Sequence, residues 1–562
     1  MNKNFLFVVP RFAKINEYYY FPLGLGYVIS NMKKNRFNVF ILNLCHYGES
    51  IEFLLSEAIK THNIHVVCTG GMSYHWNEVD DVLNTVKKIN KKIITVVGGA
   101  IITSDPELAL ENMQIDFGVM EEGEETLVEL ADAFCNNKDV KMIQGIGFVD
   151  DDKKIHLNDL RPPIKDLDSL PFPDYEGLEF GKYLKMASIQ IFNLYNVFIM
   201  DVNDLPRVVD IIASRSCPFK CTFCYHPLGN KYRQRSLDNV FKEIDFLKEK
   251  YNITFINVID ELFSSDEERF CEFANRIKKY NVKWTTSCRV NDVNEHILKM
   301  LKDSNIEFLI FGVESLSDTV LKSMKKRITK AEIEQAYKIC DKVGVRPAGN
   351  IIIGDISETE DTIKESLNWR ENHPEYDISV MFLLAIPNSE IWKYALNSGL
   401  INNKLNFIKN RFPIINLTSI DNKRFLKIKK DIKIDNIKKK YIIYGKLISS
   451  EKTENFYQNQ QIFNFNVKCP ICSMVSKYSY PKYSYYPFSI VFCKNCHKQL
   501  KISTKEAFKL SFLSELKCVL LLNLDIFHAV WLDEHIYWYK LKKSKFFLVL
   551  LGLFKKLKDL GG

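Results

Sequence analysis

The chain has 562 residues, 46% of them hydrophobic, and a formal net charge of +8. That length exceeds what one hydrophobic core supports and points to about three or four domains of ordinary soluble composition. No run of 18 apolar residues exists, which excludes a clear membrane-spanning helix.

The charge is unevenly spread: residues 401–562 carry about +19 and residues 1–400 about −11. A basic C-terminal part suits nucleic acid, anionic lipid or an acidic substrate, and equally a plain solvated surface. Phe546–Phe554, flanked by Lys542, Lys543, Lys545, Lys555 and Lys556, is too short to span a bilayer. It reads as a basic amphipathic helix, lying in a membrane interface or packed on its own domain. At the other end, Met1–Pro10 is a short apolar run without small cleavage-type residues, so it reads as a first β-strand rather than a targeting segment. The expected location is cytoplasmic, with membrane association through the C-terminus as the variant. Of the 14 cysteines, seven fall into tight groups. The other seven (Cys45, Cys68, Cys135, Cys271, Cys288, Cys340 and Cys518) read as packing residues of a reducing compartment.

Residues 1–150 alternate strand and helix patterns. Strands are expected at Phe5–Val9, Val39–Leu44, His65–Thr69 and Ile93–Val97, and helices at Tyr27–Lys33, Val79–Ile89 and Glu124–Phe134. Such alternation implies a parallel sheet with helices on both faces, and ligands bind outside the carboxyl ends of its strands. Gly70-Gly71 and Gly98-Gly99 fall at those ends, where a missing side chain lets a bulky ligand approach the backbone.

The segments Pro22-Leu23-Gly24-Leu25-Gly26-Tyr27, Val96-Val97-Gly98-Gly99-Ala100 and Glu122-Gly123-Glu124-Glu125-Thr126 resemble the cobalamin-binding domain that precedes many radical S-adenosylmethionine (SAM) enzymes. The resemblance covers almost all of residues 1–150. It implies a corrin over the C-terminal edge of the sheet, with Gly70, Gly98, Gly99 and Gly123 as cofactor-binding positions. One corrinoid pattern is missing: the Asp-x-His-x-x-Gly loop that supplies a lower cobalt ligand is replaced by Leu44-Cys45-His46-Tyr47-Gly48-Glu49, so His46 reads as a surface or packing residue.

Residues 151–205 read as a linker. Pro162, Pro163, Pro171 and Pro173 disfavour a regular helix over 160–175, and Asp166–Asp174 resembles the connector between the two domains of that family.

Residues 206–400 follow a repeated strand–helix pattern, with strands expected at Phe255–Ile259, Thr285–Arg289, Phe308–Val313, Ile351–Ile353 and Val380–Ala385. A partial or full parallel barrel follows, its active face at the C-terminal strand ends. Ahead of these strands stands Cys217-Pro218-Phe219-Lys220-Cys221-Thr222-Phe223-Cys224. Three thiolates on one short loop can hold a [4Fe-4S] cluster and leave the fourth iron open. In the radical SAM family that iron chelates SAM, and one electron releases a 5′-deoxyadenosyl radical. The resemblance further implies that Phe223 packs near the adenine and that Glu314, within Phe311–Ser317, binds the SAM ribose or amino group. Arg289, Asp260 and Asn350 are further candidates for SAM or substrate contact. No acid–base pair or serine triad stands out as catalytic, since the cofactors carry the chemistry.

Residues 401–465 read as a basic connecting region. At 466–502, Cys469-Pro470-Ile471-Cys472 and Cys493-Lys494-Asn495-Cys496 form two Cys-x2-Cys turns. Four thiolates satisfy tetrahedral zinc and make a closed site, with a second iron–sulfur cluster as the rival because sulfur ligands alone do not separate them. His497 is surplus to such a site. Whether the ribbon binds a partner or staples a small domain stays open. Residues 503–562 read as a basic, amphipathic helical tail.

The expected fold class is therefore α/β: an N-terminal Rossmann-like open parallel sheet, a central partial (β/α) barrel, and a small C-terminal zinc-ribbon with a helical segment. The expected function is a radical SAM enzyme using a [4Fe-4S] cluster, SAM, cobalamin and zinc, acting as a methyltransferase on an unactivated carbon of a metabolite or lipid. Its partners would be a small-molecule or lipid substrate, an electron donor such as flavodoxin or ferredoxin, and a membrane surface met by the C-terminus; nucleic acid ranks behind these. One alternative is a cobalamin-independent radical SAM oxidoreductase or RNA- or peptide-modifying enzyme. Another is a non-enzymatic metal-binding interaction protein, which would leave the central triad unexplained.

Overall fold

A computed structural model describes residues 3–13, 19–150, 152–190, 206–438, 442–457, 460–481, 487–508, 519, 520, 522 and 523. The expected C-terminal amphipathic segment Phe546–Phe554 and Cys518 lie outside the described residues. Among the described residues no helix is long and apolar enough to cross a membrane.

The first domain is one seven-stranded sheet: β1 (Asn4–Val9), β2 (Asn38–Asn43), β3 (Val66–Gly70), β4 (Ile94–Gly98), β5 (Phe117–Val119), β6 (Ile146–Val149) and β7 (Ile155–Leu157). Their spatial order is β2-β1-β3-β4-β5-β6-β7. β1 to β5 pair in parallel, while β6 and β7 add an antiparallel edge that carries the domain past residue 150. Phe5 to Val9 is buried throughout, as a central strand covered on both faces requires. Helices Leu23–Lys34 and Gly123–Asn136 supply Ile29, Met32, Leu127 and Leu130 to one face. Helices Ile51–Thr61 and Trp76–Ile89 supply Leu55, Ile59, Val82 and Val86 to the other. Chain order reverses between β1 and β3, which sets the ligand crevice at the loops after those strands.

The residues between the domains hold β7 and the helix Phe180–Gln190; Pro171 and Pro173 lie ahead of that helix.

The central domain is a sheet of six parallel strands in the order β15-β14-β13-β12-β11-β8. These are β8 (Val208–Ile211), β11 (Phe255–Val258), β12 (Lys283–Cys288), β13 (Ile306–Glu314), β14 (Pro347–Ile353) and β15 (Asp377–Phe382). Two short strands, β9 (Ser214–Arg215) and β10 (Arg233–Gln234), pair antiparallel and close the neck of the loop between them. The connecting helices begin at side-chain caps: Ser236 Oγ accepts the Asn239 N–H at 3.1 Å, and Thr329 with Glu332 forms a capping box. Ile351, Ile353, Ile378 and Val380 pack into the core. By strand alternation Ile310, Asn350, Ile352 and Met381 stand on the opposite sheet face.

The third unit comprises β16 (Lys446–Tyr457), β17 (Gln460–Lys468) and β18 (Val475–Pro481) in one antiparallel sheet, and the hairpin β19 (Phe488–Phe492) and β20 (Gln499–Ser503). Its strands begin at Lys446, well ahead of the boundary expected at 466, because β16 and β17 pair with β18 and share its core. Residues 401–438, expected as a plain connector, carry helices Lys404–Lys409 and Asn422–Lys438. Tyr478 and Tyr480 are buried there; Tyr483, Tyr485 and Tyr486 lie outside the described residues.

Candidate active site

Cys217, Cys221 and Cys224 stand on the loop between β9 and β10, at the C-terminal end of the barrel sheet. Cys217 is buried, Cys221 partly so, and Cys224 is exposed. The loop is pinned from several sides. Thr222 N–H donates to Met324 O at 3.1 Å, and Ile391 N–H donates to Thr222 O at 3.1 Å. The Arg289 guanidinium covers the Phe219 ring at 4.0 Å while its Nη2 donates to Lys326 O at 2.6 Å. Ser216 takes a left-handed φ of 68°, a strained turn just ahead of the first cysteine.

Glu314 ends β13 with φ 62° and is buried. Its Oε1 accepts from Lys326 Nζ at 2.7 Å. Gly312 makes room for that pair, since a Cβ there would lie 2.5 Å from Lys326 Nζ and 2.9 Å from Glu314 Oε1. Burial pushes the Cys221 thiol up, while Lys326 and Arg289 draw it down and Glu314 raises it. These three charged groups therefore surround the cluster loop, and a carboxylate and an ammonium at this edge suit the zwitterionic end of SAM. His226, raised to about 10 by hydrogen bonds to Cys224 and Glu261, stands beside the third cysteine.

The other expected residues take different places. Asp260 commits both carboxylate oxygens to the strand end ahead of the loop: Oδ1 accepts the Ala213 N–H at 2.7 Å and Oδ2 the Ser214 hydroxyl at 2.6 Å. Burial raises it to about 6. It braces the approach to Cys217. Phe223 is partly buried against a core formed by Trp76, Ile101, Leu383 and Trp392, between the two domains. Asn350 stands mid-strand on β14, half-buried.

Gly70 and Gly98 end β3 and β4, Gly99 caps the short helix that follows β4, and Gly123 opens its helix. A Cβ on Gly70 would come within 2.2 Å of Gly98 O, so the close approach of these two loops itself demands glycine there. His46 engages both ring nitrogens, Nε2 with Tyr19 Oη at 2.8 Å and Nδ1 with Glu179 at 2.9 Å. It has no nitrogen left for a cobalt ion.

The two domains meet edge to edge around this region. Arg215 Nη1 donates to Glu122 Oε1 at 2.7 Å and its Nη2 to Glu124 Oε1 at 2.6 Å. Arg233 Nη1 donates to both oxygens of Glu122 at 2.8 Å. On the other flank Asn77 Nδ2 donates to Lys409 O at 3.0 Å, Lys404 pairs with Asp105, and Arg411 pairs with Glu78. Burial raises the Tyr225 hydroxyl on the cysteine loop, the neighbouring charge of Glu121 adding to the rise. The first domain thus meets the barrel beside the cysteine loop, through Glu122 and Glu124 at Arg215 and Arg233 and through the cluster of Trp76 and Ile101 at Phe223.

Sequence reasoning missed Lys326, Arg215, Glu122 and Arg233. Lys326 hides in the run Lys325-Lys326-Arg327, which reads as solvent-facing charge, yet it is 8% exposed.

Comparison with known proteins agrees with this geometry. The model of the radical SAM superfamily matches residues 211–370, and that of the B12 binding domain matches residues 16–131. An uncharacterized methyltransferase from Pyrococcus horikoshii is 28% identical over 390 residues, covering 68% of this chain and 79% of its own. A cytidylyl-2-hydroxyethylphosphonate methyltransferase from Streptomyces wedmorensis is 24% identical, covering 68% and 79%. An anaerobic magnesium-protoporphyrin IX monomethyl ester cyclase from Rubrivivax gelatinosus is 25% identical, covering 61% of each chain. Among solved structures, the radical SAM methyltransferase TsrM from Kitasatospora setae superposes with a TM-score of 0.59 at 16% identity, over 71% of this chain and 78% of that one. The cobalamin-dependent SAM radical enzyme OxsB superposes with a TM-score of 0.55 at 17% identity, over 74% and 58%. The chain thus carries a B12-binding domain over residues 16–131 ahead of a radical SAM domain over residues 211–370.

Proposed function

We propose that this enzyme is a cobalamin-dependent methyltransferase acting on a small molecule. The observation that carries the reading is the joining of the two domains beside the Cys217–Cys224 loop, where Arg215 and Arg233 pair with Glu122 and Glu124 next to Gly123 and Phe223 packs on the cluster containing Trp76 and Ile101. Two of the relatives described above are named methyltransferases, which agrees with it.

When bound, the cluster supplies the electron that cleaves SAM, and the corrinoid supplies a methyl carrier. The chain's own residues hold and orient. Cys217, Cys221 and Cys224 would hold the cluster. Glu314 and Lys326 grip the polar end of SAM, and Arg289 with Phe219 keeps the loop rigid. Ile310, Ile352 and Met381, with Asn350 among them, give the substrate a mostly apolar wall with one hydrogen-bonding group. A reduced flavodoxin or ferredoxin would serve as donor.

The test is to incubate the anaerobically reconstituted enzyme with SAM labelled in its methyl group, cobalamin, reductant and fractionated metabolite extracts. Methyl transfer predicts a labelled product together with S-adenosylhomocysteine and 5′-deoxyadenosine. Steady 5′-deoxyadenosine formation on a consumed substrate that never gains label would contradict it.

A further inference from the structure

The chemistry above makes no use of Cys469, Cys472, Cys493 and Cys496. They stand on two turns built alike. In the first, Ser473 N–H donates to Cys469 O at 2.9 Å, Cys469 N–H donates to Met474 O at 2.9 Å, and Ser473 has φ 63°. In the second, His497 N–H donates to Cys493 O at 2.9 Å, Cys493 N–H donates to Lys498 O at 3.0 Å, and His497 has φ 57°. Each turn aims backbone amides at its sulfurs: those of Ile471 and Cys472 reach Cys469, and that of Lys498 reaches Cys496. Backbone donors of this kind orient sulfur ligands.

The spacing of the sulfurs fits a single ion rather than a four-iron cluster. All four lie within 4.8 Å of one another, with Cys469–Cys496 at 3.7 Å and Cys472–Cys493 at 3.5 Å. A tetrahedral ion with metal–sulfur bonds of about 2.3 Å sets its sulfurs about 3.8 Å apart. A four-iron cubane places each thiolate on a separate iron and holds them wider.

The position of the site separates its roles. Lys498 pairs with Asp341, and Gln499 Nε2 donates to Tyr376 O at 3.2 Å. The Arg346 guanidinium lies over the Phe492 ring at 3.7 Å. His497 sits among the charges of Glu307, Arg346, Lys302 and Lys283. Tyr376 and Arg346 immediately precede β15 and β14, and Lys283 and Glu307 stand at the starts of β12 and β13. The ribbon therefore seats on the N-terminal ends of the barrel strands. Glu314 and the cysteine loop occupy the opposite end, about 23 Å away along β13 from Glu307 at a rise of about 3.3 Å per residue. The ribbon's own core, built on Phe465, Val467, Tyr478, Val491 and Leu500, is small, and a core of that size needs a staple.

We propose that Cys469, Cys472, Cys493 and Cys496 hold one zinc ion in a closed site that fastens the ribbon to the N-terminal face of the barrel and takes no part in SAM cleavage. The cysteine loop at the far face and a redox-silent metal at this one serve separate functions of one chain.

The test uses the full-length protein. Elemental analysis of the cluster-reconstituted enzyme is expected to find about one zinc per chain beside the cluster iron. Replacement by Co(II) is expected to give the visible and charge-transfer bands of a tetrahedral tetrathiolate site. A double C472S/C493S variant is expected to lose the zinc and unfold at a lower temperature, yet to produce 5′-deoxyadenosine from SAM at a rate within about twofold of the parent. Iron in this site, absence of metal with four titratable thiols, or retention of zinc by the variant would overturn the assignment. Loss of SAM cleavage in a soluble variant with native circular dichroism would overturn the separation of roles. Should the variant not fold, the zinc content and cobalt spectrum of the parent still decide the site, and neither depends on whether methyl transfer occurs.

Discussion

Arg215 and Glu122 form an ion pair of 2.7 Å whose side chains are only 7% and 5% exposed. Arg215 lies two residues ahead of the first cluster cysteine, and Glu122 stands at the start of the helix Gly123–Asn136 of the first domain. The pair joins the cofactor-bearing edges of the two domains, and Arg233 and Glu124 complete its charge balance. Removing one partner of such a buried network leaves a charge without its counterion. Glu122→Gln is expected to destabilise the protein by about 3–5 kcal/mol, seen as a lower urea midpoint, and to reduce the cobalamin retained after gel filtration. An unchanged midpoint and full cobalamin retention would show that the network does not couple the domains.

Cys217→Ala, Cys221→Ala and Cys224→Ala are each expected to abolish the iron–sulfur absorption of the reconstituted enzyme and the formation of 5′-deoxyadenosine, because three thiolates are the minimum that leaves one iron open. Iron titration and chromatography of the reaction mixture check this. Cluster-dependent cleavage surviving in any one of them would assign the ligands elsewhere.

Gly312→Ala tests the Glu314–Lys326 pair without deleting a charge. The added methyl would press on both groups and displace them by a few tenths of an ångström or more. The expectation is a rise in KM for SAM of about tenfold, roughly 1.4 kcal/mol, with iron content unchanged. Glu314→Gln is expected to act in the same direction. A normal KM in both variants would remove the pair from SAM binding.

Stability should fall as pH rises from 4.5 towards 8. Glu358 is fully buried, and burial raises its carboxyl to about 8; Asp210 and Asp260 are raised to about 6 by the same cause. In the unfolded chain these groups ionise near their ordinary values, so over that interval the folded state binds more protons. Their contribution is fully present below the unfolded pKa and is lost as pH rises through the folded one. Thermal unfolding between pH 5 and 8 should therefore show a decline that Glu358→Gln makes shallower. A decline of the same slope in the variant would assign the effect to other groups.

Much of this molecule could be read before its structure. The three central cysteines share one loop, glycines end β3 and β4, and the two Cys-x2-Cys turns bring four sulfurs together, all features that depend on spacing within a few adjacent positions. The strands were legible because their apolar runs are continuous, as burial on both faces demands. What stayed hidden depends on long-range pairing. Nothing near Arg215 in the chain hints at Glu122, and Lys326 looks like its exposed neighbour Lys325 until the fold buries it beside Glu314. Asp260 illustrates the converse: its position at a strand end suggested a ligand contact, whereas its two oxygens are taken by Ala213 and Ser214. The antiparallel edge of β6 and β7, and the early start of the ribbon sheet at Lys446, follow from pairings that local periodicity does not encode.

The most direct test of the central claim is a single anaerobic sample of the reconstituted full-length enzyme, gel-filtered after incubation with cobalamin and then given SAM and dithionite. Bound corrinoid near one equivalent per chain, together with 5′-deoxyadenosine that disappears in the Cys221→Ala variant, is the result expected here. A chain with a full [4Fe-4S] cluster that retains no corrinoid and yields no 5′-deoxyadenosine would contradict the account.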